Sequence, residues 1–111
     1  MIDSVSKDLE KYMDLVSTRQ KLVASNIANV DTPGYRTQDI DFQSEFQSLA
    51  AGEKPEVVEV LDLKIKNDGN DVSIDRESRL LAENALRFRL ASALLKDKFS
   101  IIKQAIEGDK S

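Results

Sequence analysis

A mainly α-helical fold follows from three features of the sequence: two long terminal helices pairing as an antiparallel, coiled-coil-like hairpin, with a small β-hairpin insert and a short helix between them. Apolar residues recur at threes and fours over residues 2–30 and again over 75–107. The first of these runs is cut off by Thr32-Pro33-Gly34-Tyr35. Between the runs, over 61–65, the apolar spacing shortens to two, the period of a half-exposed strand.

The first helix is expected from about Ile2 to Val30, capped by Asp3 or Ser4. Val5, Leu9, Tyr12, Val16, Val23, Ile27 and Val30 form its seam, flanked by Met13, Leu15 and Leu22. Arg19 falls on that seam between Val16 and Val23 and interrupts it. At this length the helix spans roughly 43 Å, long for a small domain, which favours pairing with a second long helix. Pro33 has a fixed φ and lacks an N–H, so it pushes Thr32 out of the α region and ends the helix. With Gly34 at the third position, the block also fits a type II turn.

Just before that turn the residues become small or amidic: Ala24, Ser25, Asn26, Ala28 and Asn29. Two asparagines within one turn lower helix propensity and compete for nearby backbone groups. Two readings stand: Asn26 and Asn29 cap a fraying end, or they hydrogen-bond across a subunit contact where small residues let another backbone approach.

From Arg36 to Gly52 the pattern is an extended piece followed by a short helix. Asp39 or Asp41 caps it, Phe42, Phe46 and Leu49 share a face, and Gly52 stops it. The sequence signals neither a polar partner nor a pocket for Asp39 and Asp41, so solvated caps are expected and not paired acid–base carboxylates. After a polar linker, 53–56, Leu61, Leu63 and Ile65 alternate with Asp62, Lys64 and Lys66 as a strand. Asn67-Asp68-Gly69-Asn70 turns it, and Val72 and Ile74 return. A calcium-loop reading of that acidic turn fails, because Gly69 at the sixth position puts Lys64 first.

The last helix is expected from an Asp75 cap to about Glu107, with Gly108 as its stop. Leu81, Ala85, Phe88, Leu95, Phe99, Ile102 and Ile106 make its seam, Ser92 is the polar interruption, and Leu80, Leu94 and Ile101 widen the stripe. The expected division is therefore 1–35, 36–74 and 75–111, with the first and last pieces forming one discontinuous domain. Two paired helices leave much of so wide a stripe uncovered, and the remainder calls for partners.

Composition narrows the function. The net charge is −4, with charges of both signs interspersed, which argues against a nucleic-acid partner. With neither Cys nor His, the chain has no disulfide, no thiolate metal site and none of the commonest general base. No catalytic set, metal site or cofactor loop emerges, so an enzyme is not expected. There is no apolar run of about 18 residues, and Met1 to Glu10 are too polar for a cleaved signal peptide. Export, if it occurs, would be by an uncleaved route.

Ser25-Asn26-Ile27-Ala28-Asn29 followed by Thr32-Pro33-Gly34-Tyr35 resembles the N-terminal signature of bacterial flagellar rod and hook proteins. A second block, Asp68 to Glu77 followed by Leu81-Ala-Glu-Asn-Ala-Leu-Arg-Phe88, resembles the C-terminal part of the proximal rod proteins of the flagellar basal body. Val30-Asp31, Phe88 and a short middle depart from that pattern. The resemblance implies a non-enzymatic structural subunit without cofactors, assembling with itself and other rod proteins into a tubular drive shaft that transmits torque and conducts exported subunits. It further implies a place in the periplasmic rod, contact with the rod–base adaptor at the inner-membrane ring, and passage through the flagellar type III export gate. By the same resemblance, Asn26, Asn29, Thr32, Pro33, Gly34 and Tyr35 form the assembly motif, while Phe42 and Phe46 match the gate-recognition motif of early export substrates; a simple packing pair is the other reading of the two rings. A helical adaptor or chaperone of a secretion system is the alternative function, but it leaves the Thr-Pro-Gly-Tyr block unexplained.

Overall fold

The computed structural model describes residues 4–48 and 54–108. Its elements are α1 (Ser4–Ala28), β1 (Gln38–Ile40), α2 (Phe42–Ser48), β2 (Val57–Glu59) and α3 (Ile74–Gly108). The molecule is elongated, 70 × 25 × 17 Å, because α1 and α3 lie antiparallel along its length. Asn26 meets Glu77 at one end of the pair, Gln20 meets Leu81 further along, and Val5 and Leu9 lie beside Leu90 and Leu94. α3 has 35 residues against 25 in α1, so its last turns continue past the described part of α1.

α1 ends at Ala28, two residues before Val30, where tighter turns take over. The N–H of Asn29 is shared between the carbonyls of Ser25 and Asn26, and that of Val30 donates to Ile27. The proline block then forms the expected turn: the Tyr35 N–H donates to the Thr32 carbonyl at 3.2 Å, and Gly34 has φ +75°, the type II arrangement. β1 follows and pairs antiparallel with β2, matching Gln38 with Glu59, Asp39 with Val58 and Ile40 with Val57. α2 lies within this hairpin connection. Its cap is Asp41, whose Oδ1 accepts from the Ser44 N–H. Gly52, the expected stop, and Leu49 lie outside the described residues, as do Ile2 and Asp3.

The insert is a two-stranded hairpin, but not where the alternating pattern put it. Leu61, Leu63 and Ile65 form no strand: Asp62 adopts φ +65°, which breaks the extended run, and Leu61 is 78% exposed with no sheet face to cover it. Val72 is buried, but as part of the loop entering α3, and Ile74 is the first residue of that helix. The Asn67–Asn70 turn does form, closed by Gly69 N–H to Lys66 O and Lys66 N–H to Asn70 O. The cap of α3 is Ser73, not Asp75. Its Oγ accepts from the N–H of Arg76, the third residue of the helix.

The apolar core is thin: Leu15, Val16 and Val23 from α1, Leu80 and Ala91 from α3, with Ile40 and Val72 from the insert. On α3 the face turned to α1 carries Glu77, Leu80, Asn84 and Ala91. The seam expected from sequence is rotated from this face by less than one residue's turn. Leu95 and Ile102 are half-buried, whereas Leu81, Phe88 and Phe99 are exposed beside the line of contact. Val16 and Val23 of the expected α1 seam are buried, and Ile27 is half-buried.

Candidate assembly site

The joint at which α1, the turn, β1 and the start of α3 converge is held by buried polar side chains. Asn26 lies on the inner face of α1, 1% exposed, and uses its whole carboxamide inside the chain. Nδ2 donates to the Gln38 carbonyl at 2.8 Å and to Glu77 Oε1, while Oδ1 accepts from the Gln38 N–H at 3.1 Å and the Tyr35 hydroxyl at 2.9 Å. It pairs with the Gln38 backbone much as a neighbouring strand would. A primary amide suits this place because it donates and accepts at once, whereas a carboxylate has no donor.

Asn29 acts locally. Its Nδ2 returns to the Ser25 carbonyl at 2.8 Å, and its Oδ1 accepts from Thr32 Oγ1 at 3.0 Å, closing the end of α1. Pro33 and Gly34 are exposed, and Tyr35 is half-buried. The turn is pinned from the far side by the 67–71 segment. Gly34 N–H donates to the Asp68 carbonyl at 2.9 Å, and a Cβ at Gly69 would come within 3.4 Å of Gly34 Cα, so two glycine backbones pack directly together.

Two further residues complete the joint, Asn70, expected only as the end of a turn, and its neighbour Asp71. Asn70 is fully buried, with Nδ2 donating to the carbonyls of Asn29 and Thr32, both at 2.8 Å, and Oδ1 accepting from the Val72 N–H. Asp71 Oδ1 accepts from the N–H and the hydroxyl of Thr37. Neither role has a local sequence signal, because the partners are 34 to 41 residues away.

Charge is handled next to this amide network. Arg19, the interruption of the α1 seam, grips Asp39 through Nε and Nη2, both at 3.0 Å. Arg76 bridges Asp39 at 2.7 Å and Glu77 at 2.6 Å. Two cations and two anions thus neutralise one another in a site where Glu77 is inaccessible and Asp39 nearly so. Burial alone would lower the pKa of Arg76, but its hydrogen bonds to Asp39 and Glu77 and their charges outweigh this and hold it above the usual guanidinium value.

Phe42 and Phe46 pack rather than project freely. Both rings meet Tyr12 edge-on, with centroids 5.4 and 5.8 Å away, and the guanidinium groups of Arg19 and Arg87 lie over Phe42 at 6.0 and 5.7 Å. Beyond the joint, α3 is apolar on both sides of its contact with α1. One flank forms an open groove of about 680 Å³ with Val16, Ser17 and Gln20 against Asn84, Ala85, Phe88 and Ser92. The opposite flank carries Leu86, Leu90, Leu94 and Ile101, of which Leu90 is 59% exposed. Nothing in this arrangement places a nucleophile beside a base, and among the described residues no cluster of His, Cys, Asp and Glu could hold a metal ion.

The family model for the flagella basal body rod protein matches residues 13–36, the end of α1 and the turn. Over nearly its whole length the chain is similar to the flagellar basal body rod protein FlgB of Borrelia hermsii, at 29% identity covering 96% of this chain and 98% of that one. Similarity to FlgB of Escherichia coli K12 is 30% over 85% of this chain and 86% of the relative; for FlgB of Bacillus subtilis it is 26%, covering 94% of both. The matched segment takes in the whole glycine turn that the amide joint secures and ends one residue past it. With the joint and the near full-length similarity taken together, the chain belongs to the FlgB family of flagellar basal body rod proteins, structural and not enzymatic.

Proposed function

We propose that the chain is a proximal rod subunit whose paired α1 and α3 lie beside those of neighbouring subunits in the wall of the tubular shaft. The observation that carries this reading is the pair of apolar flanks on opposite sides of α3. A closed dimer, as expected of an adaptor or chaperone, covers one self-complementary patch. Two opposed flanks on one helix instead take two neighbours, as a subunit in a continuing wall requires. The joint suits torque transmission: its buried groups are paired within the chain, so the ends of both helices move with the turn and the insert as one body.

Partners in this reading are other rod proteins and further copies of the chain, the rod–base adaptor at the inner-membrane ring, and the type III export gate, reached while the chain is unfolded and Phe42 and Phe46 are free. The site of action is the rod in the periplasmic space. A thin core fits such a route, because burial completed by partners leaves the lone chain easy to hold unfolded. The test is replacement of the resident rod protein by versions with one flank made polar, followed by electron microscopy of basal bodies. Basal bodies that stop before a complete rod support the reading, and complete rods count against it.

A further inference from the structure

The two flanks of α3 differ in charge. The groove flank is bordered by Arg89 and Lys96. The opposite flank carries Asp97 one turn beyond Leu94, and Asp8 of α1 beside Leu90; of the arginines on this side, Arg87 is paired with Glu83 at 2.9 Å and Arg79 lies nearer the joint, away from Leu90 and Leu94. The groove flank also contains carboxamides with no partner among the described residues: both polar atoms of Asn84, which is 1% exposed, and Oε1 of Gln20. A buried amide left without hydrogen bonds is unfavourable, and here it lines the wall of an open groove.

Resting on the rod-subunit reading, we propose that the groove flank is a docking site for the acidic flank of a second copy of this chain. Leu90 and Leu94 of one copy enter the groove formed by Val16, Ala85 and Phe88 of the next. Asp97 faces the Arg89 and Lys96 border, and a carboxylate of the incoming flank gives the Asn84 amide its missing acceptor. The contact is heterologous: each copy uses one flank as acceptor and the other as ligand, so the interaction passes from copy to copy. Charge selects this order, since groove against groove sets cation against cation.

The chain has no cysteine, which allows a clean cross-linking test. Leu90→Cys and Ser92→Cys stand two residues apart on exposed, nearly opposite sides of α3, where they cannot bond to each other in one chain. In motile cells whose rods contain the doubly substituted chain, mild oxidation is expected to give a ladder of disulfide-linked dimers, trimers and higher species, while either single substitution gives monomer. Adding Lys96→Glu lowers the ladder at least tenfold, and adding Asp97→Lys to that variant restores it. Asn84→Leu raises the denaturation midpoint of the purified protein yet weakens the ladder, a split that a merely structural residue does not show. Dimers from a single cysteine, no ladder from the double variant, or no recovery with Asp97→Lys overturns the proposal. Cells that still swim, with cross-links only to a different rod protein, overturn it while leaving the rod-subunit reading intact; loss of the chain from purified basal bodies counts against that reading itself.

Discussion

Arg19 and Asp39 form two parallel hydrogen bonds of 3.0 Å across 20 residues of sequence, placing a cation on the core face of α1 where the apolar seam is broken. Asp39 is also the acceptor for Arg76 of α3, so one carboxylate ties α1, β1 and α3 together. Asp39→Asn removes the countercharge of Arg19 and one of the two carboxylates paired with Arg76. Losing one partner of a buried ion pair costs about 3–5 kcal/mol, and the partial exposure of both arginines points to the lower end of that range. Urea unfolding of the purified protein measures it, and a loss below about 1 kcal/mol contradicts the network.

The two asparagines are expected to separate cleanly. Asn26→Asp keeps the shape but removes both donors and sets a negative charge beside Glu77, so stability falls by about 2–4 kcal/mol. Asn29→Ala loses one local cap, worth about 1 kcal/mol or less. Equal losses in the two variants would contradict the assignment of Asn26 as a latch between elements.

At Gly34 the cost comes from backbone conformation and not from space. Among the described residues no atom lies within 4 Å of a Cβ built there, but φ is +75°. Gly34→Val is therefore expected to destabilise by about 1–2 kcal/mol, with misdirected exit from α1 and impaired motility. Gly34→Asn, which tolerates this region, should retain most function in a swimming assay. If valine and asparagine behave alike, the turn geometry is not what matters.

Phe42 and Phe46 hold α2 against Tyr12, so replacing both with alanine loosens α2 as well as any export signal. Phe42→Leu keeps an apolar side chain beside Tyr12 and removes the ring at the phenylalanine position of the export motif. If the export gate reads that ring, this variant accumulates in the cytoplasm with a near-normal unfolding curve. Full secretion reduces the pair to packing.

Much of this was legible in the residues, and the parts that were not have a common cause. The turn is encoded locally, by Pro33 and Gly34 acting on their own φ angles, and it formed as expected. The two terminal helices were visible from long apolar periodicity. The joint was half-visible: Arg19 showed as an interruption and Asn26 as an unfavourable helix residue, but their partners Asp39, Gln38 and Glu77 are set by tertiary packing that no local pattern marks. Asn70 looks like the end of any turn, and nothing local singles out Asp71. The strand assignment failed because alternation over 61–65 specifies a strand only when a sheet face covers it, and Leu61 and Ile65 face outward. On α3, apolar residues cover more than one face, so periodicity could not tell the stripe used by α1 from the flanks left over.

Those flanks are the centre of the account, and Leu90→Asp tests them most directly. Leu90 is 59% exposed in the isolated chain, so the charge should change its unfolding free energy by no more than about 1 kcal/mol. In the rod the same aspartate meets an apolar groove, where an unpaired charge is costly to desolvate. The measurement is the unfolding free energy of the purified variant beside a count of complete rods in cells carrying it. A stable protein and no complete rods are expected if the flanks are the contact surfaces. A variant that unfolds in isolation, or one that builds rods as well as the original chain, contradicts that role.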